Sequence, residues 1–103
     1  MNTTNQNREY CKQLLIYTQN FLGKLLGAHI DCDLYFGVDR CCFYFRSSKL
    51  HSSISVEYIY AEIKQLCEIA DARPRHYERI RRCIEENEPK LKLVEFDPLS
   101  EGF

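Results

Sequence analysis

The hydrophobic positions near the start of the chain recur with the period of an α-helix. From Arg8 to Leu26 they fall every three or four residues and form one broad stripe, which predicts an amphipathic first helix. The stripe consists of Cys11, Leu14, Leu15, Thr18, Phe21, Leu22, Leu25 and Leu26. Gly27 follows directly, and glycine most readily adopts the left-handed conformation that ends a helix. We therefore expect the first helix to end at Leu26.

After this helix the hydrophobic period changes to two, which indicates strands. The apolar positions are Ile30, Cys32, Leu34 and Phe36 on one run and Cys41, Phe43 and Phe45 on the next. Residues 37–40 form the turn between them, and pairing Phe36 with Cys41 sets apolar residues opposite one another along both runs. The same register places Asp31 opposite Arg46. The sequence therefore predicts a β-hairpin with one apolar and one polar face.

The second half of the chain is predicted to hold two helices and one strand. After a polar connector at 47–53, Ser55 is a candidate N-cap and the apolar residues of 56–70 have helical spacing. A third helix is predicted from Pro74 to about Glu86, and residues 90–96, apolar on both sides, predict a third strand. Residues 1–6 are expected to form a flexible N-terminus and residues 97–103 a C-terminal tail.

These elements predict a single α+β domain in the order α-β-β-α-α-β. Helices one and two are expected to pack on the apolar face of a three-stranded sheet, with helix three more peripheral. The length of 103 residues, with 45% apolar and 28% charged residues, suits one globular core and excludes a disordered chain.

The overall charge gives the molecule no general attraction for nucleic acid, and the hydropathy argues against a membrane partner. The 14 Lys and Arg residues nearly balance the 15 Asp and Glu residues, so the whole molecule has no strong field for nucleic acid or anionic membrane. No apolar run approaches the about 20 residues that cross a bilayer, and the polar residues 1–7 lack the apolar stretch of a signal peptide. A cytoplasmic protein with no membrane partner is expected.

Six cysteines are an unusually high number for so short a chain. In a reducing compartment they are predicted to be free thiols that pack as small apolar side chains. His29, Cys32, Cys41, Cys42 and His51 cluster in the middle of the chain but show no C-x2-C spacing. In the predicted register Cys32 and Cys41 lie about 13 Å apart along the ladder, too far for one metal ion. No metal, disulfide or cofactor is predicted.

Asp31 and Asp33 are the candidate catalytic pair, because they lie on one strand face about 7 Å apart. Two carboxylates can hold a magnesium ion or serve as acid and base, which makes an enzyme one hypothesis. An ion pair between Asp31 and Arg46 accounts for the same residues without a ligand. The chain also lacks the G-x-S-x-G, glycine-rich phosphate-loop and H-E-x-x-H motifs. We therefore expect that it is not an enzyme.

The segment 73–82 is the strongest local charge feature. Arginines on an exposed helix, with Tyr77 among them, could contact phosphates and stack on a base, which makes nucleic-acid binding a second hypothesis. Its candidate residues are Arg73, Arg75, Arg79 and Arg82. Pairing within the helix is the alternative, since Glu78 can reach Arg82, and the acidic residues at 85–88 would repel a polyanion.

The leading hypothesis is a small interaction or regulatory module that binds another protein or a second copy of itself. A small sheet in a chain with seven Tyr and six Phe residues is expected to have more apolar surface than one layer of helices covers. Aromatic and arginine side chains are the usual anchors of protein interfaces. The candidate partner-binding residues are Tyr35, Cys42, Tyr44, Arg46, Arg75 and Arg79.

Overall fold

Three antiparallel strands and three α-helices make up residues 5–103, the part of the chain that this computed structural model describes. The elements are α1 (Asn5–Leu26), β1 (Asp31–Phe36), β2 (Arg40–Arg46), β3 (Ile54–Ile59), α2 (Tyr60–Glu68) and α3 (Arg73–Asn87), with a 3-10 turn (Ala70–Ala72) before α3. The α+β class is confirmed. Of the predicted flexible N-terminus, residues 1–4 lie outside the described range, and residues 5 and 6 already belong to α1.

The first helix ends where its sequence predicts. Gly27 has a φ of +64°, and its N–H donates to the carbonyl oxygen of Gly23 at 2.9 Å. A side chain at this φ would be strained, which is why glycine suits the position. The buried face of α1 consists of Cys11, Leu14, Thr18, Phe21, Leu22, Leu25 and Leu26, while Leu15 is only partly buried.

The predicted hairpin register is confirmed at every position. Phe36 pairs with Cys41, and the ladder continues to Asp31, which pairs with Arg46. The inward side chains of β2, those of Cys41, Phe43 and Phe45, are fully buried. The alternation of apolar and polar residues sets this register, because a slip of one residue would move an apolar side chain into water.

The third strand is β3, and its position corrects two predictions. Residues 54–59 were predicted to belong largely to a helix, yet they pair antiparallel with β2, and α2 begins only at Tyr60. The order is therefore α-β-β-β-α-α, not α-β-β-α-α-β. The physical reason is a period of two, since Ile54, Val56 and Tyr58 are buried and the residues between them are exposed. The short connector brings the strand back to the free edge of β2.

Residues 90–96, predicted as a strand, are irregular chain that lies along α1. The N–H of Val94 donates to the carbonyl of Leu25 at 3.0 Å, and the ring of Phe96 lies 5.6 Å from that of Phe21. These residues cover the helices because β3 already occupies the edge of β2 at which a third strand could pair. The predicted tail, residues 97–103, folds back in turns, and the ring of Phe103 packs on Phe96.

The third helix packs on both α1 and the sheet, more closely than the peripheral position predicted for it. Its inward side chains His76, Tyr77, Ile80 and Ile84 are buried. The ring of Tyr77 stacks on Phe21 of α1 at a centroid distance of 4.4 Å, and His76 contacts Tyr58 of β3. The helices therefore gather on one side of the sheet and leave its opposite side exposed.

Candidate functional site

The exposed side of the sheet, here called the outer face, combines side chains from all three strands. Its rows run across the sheet and are set by the strand register. From one end to the other they are Asp31 with Arg46, then Asp33, Tyr44 and Ser55, then Tyr35, Cys42 and Glu57, and last Arg40 with Ile59. The four outer-face residues predicted for partner binding, at positions 35, 42, 44 and 46, therefore share one surface.

Two tyrosines form the centre of the outer face. The rings of Tyr35 and Tyr44 meet edge to face at a centroid distance of 5.2 Å. Tyr35 remains 59% exposed, and Ile59 and Val38 at the same end of the sheet are 46% and 79% exposed. Edge-to-face packing restrains both rings while leaving apolar surface in water. Restrained aromatic surface of this kind is typical of an interface anchor.

Ion pairs frame these tyrosines. Arg46 donates to Asp33 at 2.8 Å, so the predicted ion pair with Asp31 is wrong. The actual partner lies in the neighbouring row of the sheet. The reason is reach, since a long arginine side chain can contact a diagonal neighbour on the next strand. Asp31 instead accepts from His29 at 3.1 Å. Both carboxylates of the candidate catalytic pair thus have a basic partner in the fold.

Cys42 lies beside a carboxylate on the outer face. Its thiol donates to Glu57 Oε2 at 2.9 Å, and Arg40 donates to the other oxygen of Glu57 at 3.0 Å. The hydrogen bond to Glu57, aided by burial, raises the pKa of Cys42 to about 11. The group is therefore a thiol at neutral pH, and a thiol is a far weaker nucleophile than a thiolate.

All six cysteines are free thiols, and three of them, Cys11, Cys41 and Cys67, are buried. The hydrogen bond between the thiols of Cys11 and Cys41, together with burial, raises the pKa of Cys11 far above its usual range. Burial raises the pKa of Cys67 to about 11. Buried, protonated thiols pack as small hydrophobes, and this is what Cys11 and Cys67 do here.

Arg73 differs from the other arginines proposed for nucleic-acid contact because its side chain is only 7% exposed. Its guanidinium donates to the carbonyls of Leu66 and Cys67 at the end of α2, at 2.8 and 3.1 Å, and to Phe103 at 3.2 Å. It therefore caps a helix and holds the C-terminal residues. Tyr77, the candidate for base stacking, is fully buried.

Arg75, Arg79 and Arg82 do lie on the exposed side of α3. Arg82 pairs with Glu78 at 3.7 Å, as predicted. All three arginines line a shallow depression together with Glu78 and Glu86, so basic and acidic side chains alternate there. Arg75 and Arg79 also line a second cavity beside Tyr58, whose side chain points to the helix-covered side of the sheet. The structure therefore separates these two residues from the outer face.

A buried polar network centred on His76 has no counterpart in the sequence-based predictions. Thr18 donates its one hydroxyl proton to the carbonyl of Leu14 at 2.7 Å, so it accepts from Nε2 of His76 at 2.8 Å. Nδ1 of His76 then accepts from the hydroxyl of Tyr58, also at 2.8 Å. Burial lowers the pKa of His76 to about 3, which keeps the ring neutral.

The network joins α1, β3 and α3, and only the fold brings its members together. Thr18 and His76 are 58 positions apart in the sequence. Tyr58 was predicted to lie in a helix, and that prediction did not show that its side chain points into the core. The alternation of Ile54, Val56 and Tyr58 was the one signal that could have revealed it.

Comparisons of the chain with protein-family models, with curated proteins and with solved structures find no match. Among residues 5–103, no three His, Cys, Asp or Glu side chains are grouped so that they could hold a metal ion. None of the helices in that range is long and apolar enough to cross a membrane.

Proposed function

We propose that the protein is a small, non-enzymatic module that binds another protein through the outer face of its sheet. The observation that carries this proposal is the Tyr35–Tyr44 pair, which lies on a face that no described helix covers. Exposed apolar surface at Val38 and Ile59 extends the same patch. Aromatic residues placed among polar neighbours are the usual anchors of protein recognition. The six free thiols suit action in a reducing compartment such as the cytoplasm.

The size of the outer face favours a transient contact. Strands of six or seven residues at a rise of about 3.3 Å and a spacing of about 4.8 Å give a face of about 300 Å². Stable complexes bury about 800 Å² on each partner. We therefore expect micromolar affinity and rapid exchange of the partner.

The charges of the outer face favour a partner without a strong net charge. Arg46 is paired with Asp33, and Arg40 is paired with both Asp39 and Glu57. Each guanidinium already has a carboxylate, so a polyanion would have to displace it. Binding is therefore expected to depend on aromatic packing and to change little with salt.

The structure gives less support to nucleic-acid binding through α3 than the sequence pattern does. Arg73 and Tyr77 are buried, and the exposed arginines alternate with Glu78 and Glu86. The neighbouring carboxylates of Glu78 and Glu86 would repel an extended phosphate backbone. Asp31 is paired with His29 and Asp33 with Arg46, so these two carboxylates likewise give no support to a catalytic site.

The test is affinity capture from the cells that make the protein, followed by measurement with the purified partner. Wild-type chain and the Tyr35→Ser, Tyr44→Ser double variant would be compared by quantitative mass spectrometry. We expect at least one protein to be enriched by the wild type and lost with the double variant. With that protein purified, calorimetry should show binding weakened by at least about tenfold, the scale of losing interface anchors.

The matched control is Ile16→Ser, which removes an exposed apolar side chain from α1, away from the outer face. Partners that need the outer face should survive this change. A partner lost equally with both variants, or a partner whose affinity falls steeply between low and high salt, would contradict the proposal.

A further inference from the structure

A small cavity lies between the end of β3, α2 and the first turns of α3. Its volume is about 240 Å³, and it is lined by Tyr58, Glu62, Leu66, Ala72, Arg75, His76 and Arg79. The space is smaller than the cavities that enclose whole drug-sized ligands, and it suits a single polar group.

The floor of the cavity is hydrogen-bonded and uncharged. The hydroxyl of Tyr58 donates to Nδ1 of His76, and Nε2 of His76 donates to Thr18 beneath it, each at 2.8 Å. With its proton used in this way, the Tyr58 oxygen retains only acceptor capacity. The floor therefore adds no charge of its own to the cavity.

The wall of the cavity carries two arginines one helical turn apart. Arg75 and Arg79 are four positions apart on α3 and so project from the same face of the helix. Arg79 lies over the ring of Tyr58, with its guanidinium carbon 5.2 Å from the ring centroid, which restrains it. Within residues 5–103 neither forms an ion pair, whereas Arg40, Arg46, Arg81 and Arg82 each do.

We infer that this cavity binds a phosphoryl group in its doubly charged form. Two guanidiniums that line one small space and form no ion pair match a tetrahedral dianion better than a carboxylate, which one arginine can satisfy. A phosphate monoester carries a charge of about −1.5 to −2 at neutral pH, whereas the phosphodiester of a nucleic-acid backbone carries only one. The group can belong to a free phosphate monoester or to a phosphorylated side chain. The inference is independent of the outer face.

Glu62 gives the site a charge that opposes the ligand. Glu62 lines the same cavity, and it is in no ion pair with either arginine among the ion pairs of residues 5–103. Repulsion between this carboxylate and a dianion should weaken binding, so its removal should strengthen binding. Substitutions on the two sides of the cavity are thus expected to act in opposite directions.

The experiment is a set of NMR titrations of the ¹⁵N-labelled chain at pH 7.5 and moderate salt. The probes are inorganic phosphate, a phosphoserine-containing pentapeptide, its unphosphorylated form and dimethyl phosphate as a monoanionic diester. We expect phosphate and the phosphopeptide to shift the signals of Arg75 and Arg79, and the other two probes to leave them unchanged. Tighter binding of the phosphopeptide would assign the group to a protein, and equal binding to a small monoester.

The variants are Arg75→Gln, Arg79→Gln and Glu62→Gln, with Arg82→Gln as the matched control. Arg82 lies on the same helix and loses the same charge, but it does not line this cavity. Each of the first two changes should weaken phosphate binding by about tenfold, the value of one charged hydrogen-bonding group, and Glu62→Gln should strengthen it. Arg79 is the arginine that lies over the Tyr58 ring, so Arg75→Gln tests the site even if Arg79→Gln disturbs the fold.

Three results would overturn the inference. The first is the absence of any shift at Arg75 and Arg79 with millimolar phosphate. The second is an equal loss of affinity in Arg82→Gln and Arg75→Gln, which would indicate general attraction to the helix surface. The third is dimethyl phosphate binding as tightly as phosphate, which would point instead to nucleic-acid backbone.

Discussion

His76 and Arg73 are polar residues that are buried in the fold, and the residues around them in the sequence do not indicate this burial. Both lie in a run of arginines that is typical of an exposed helix. His76 is buried because both ring nitrogens find partners, and Arg73 because its guanidinium meets three carbonyl groups. A buried polar group is tolerated when it finds hydrogen-bond partners, as both of these side chains do.

The burial of His76 predicts a pH dependence of stability. Its pKa is about 3 in the folded chain against 6.5 for the free side chain, so between these values the unfolded chain binds a proton that the folded chain does not. Its contribution to stability is therefore complete above about pH 6.5 and is lost as the pH falls, with a slope approaching about 1.4 kcal/mol per pH unit. Urea unfolding between about pH 4 and pH 7.5 measures this slope.

The matched variants are His76→Gln, which removes the titrating group, and His29→Gln, which removes an exposed one. We expect the slope between about pH 4 and pH 6 to become shallower by about one proton in His76→Gln, and more so than in His29→Gln, because only the His76 ring is buried. Equal slopes in the wild type and His76→Gln would show that the ring titrates normally in the folded chain.

The strand β3 shows how one run of residues can satisfy two periods. Val56, Ile59, Tyr60 and Ile63 fit a helical stripe, whereas Ile54, Val56 and Tyr58 fit an alternating strand. Pairing with β2 decides between them, because the hydrogen bonds of a strand require a neighbour that only the tertiary structure supplies. The run at 90–96 has strand-like composition but lies on α1 and has no such neighbour.

Hydrogen exchange of the backbone amides distinguishes these two segments. Strand amides of β3 that donate to β2 should be protected nearly to the level of global unfolding. In residues 90–96, only the amides of Leu91 and Val94 donate to a described backbone carbonyl, so the others should exchange rapidly. Strong protection along all of residues 90–96 would instead indicate the strand that the sequence pattern suggests.

The outer face is too small to hold two copies of the chain together stably. An outer face of about 300 Å² is well below the about 800 Å² per partner that a stable complex buries. The paired charges on that face add little, since exposed ion pairs contribute at most about 1 kcal/mol. Aromatic packing at Tyr35 and Tyr44 alone is therefore expected to give weak self-association.

We expect the protein to be a monomer at micromolar concentration. Light scattering coupled to gel filtration should give a mass close to 12.2 kDa across a range of loading concentrations. A stable mass near twice this value, reduced to the monomer by the Tyr35→Ser, Tyr44→Ser double variant, would show that the partner of the outer face is a second copy.

The sequence by itself determined α1, its end at Gly27, the hairpin and its register. These depend on interactions between residues near in the chain, and the alternation of apolar with polar side chains allows one register only. Only the tertiary structure decided the strand identity of residues 54–59, the place of residues 90–96, the burial of Arg73 and His76, and the cavity between Arg75, Arg79 and Tyr58. Each of these depends on partners distant in the sequence. Local periodicity does not indicate which distant groups will pair with a strand or complete a buried hydrogen bond.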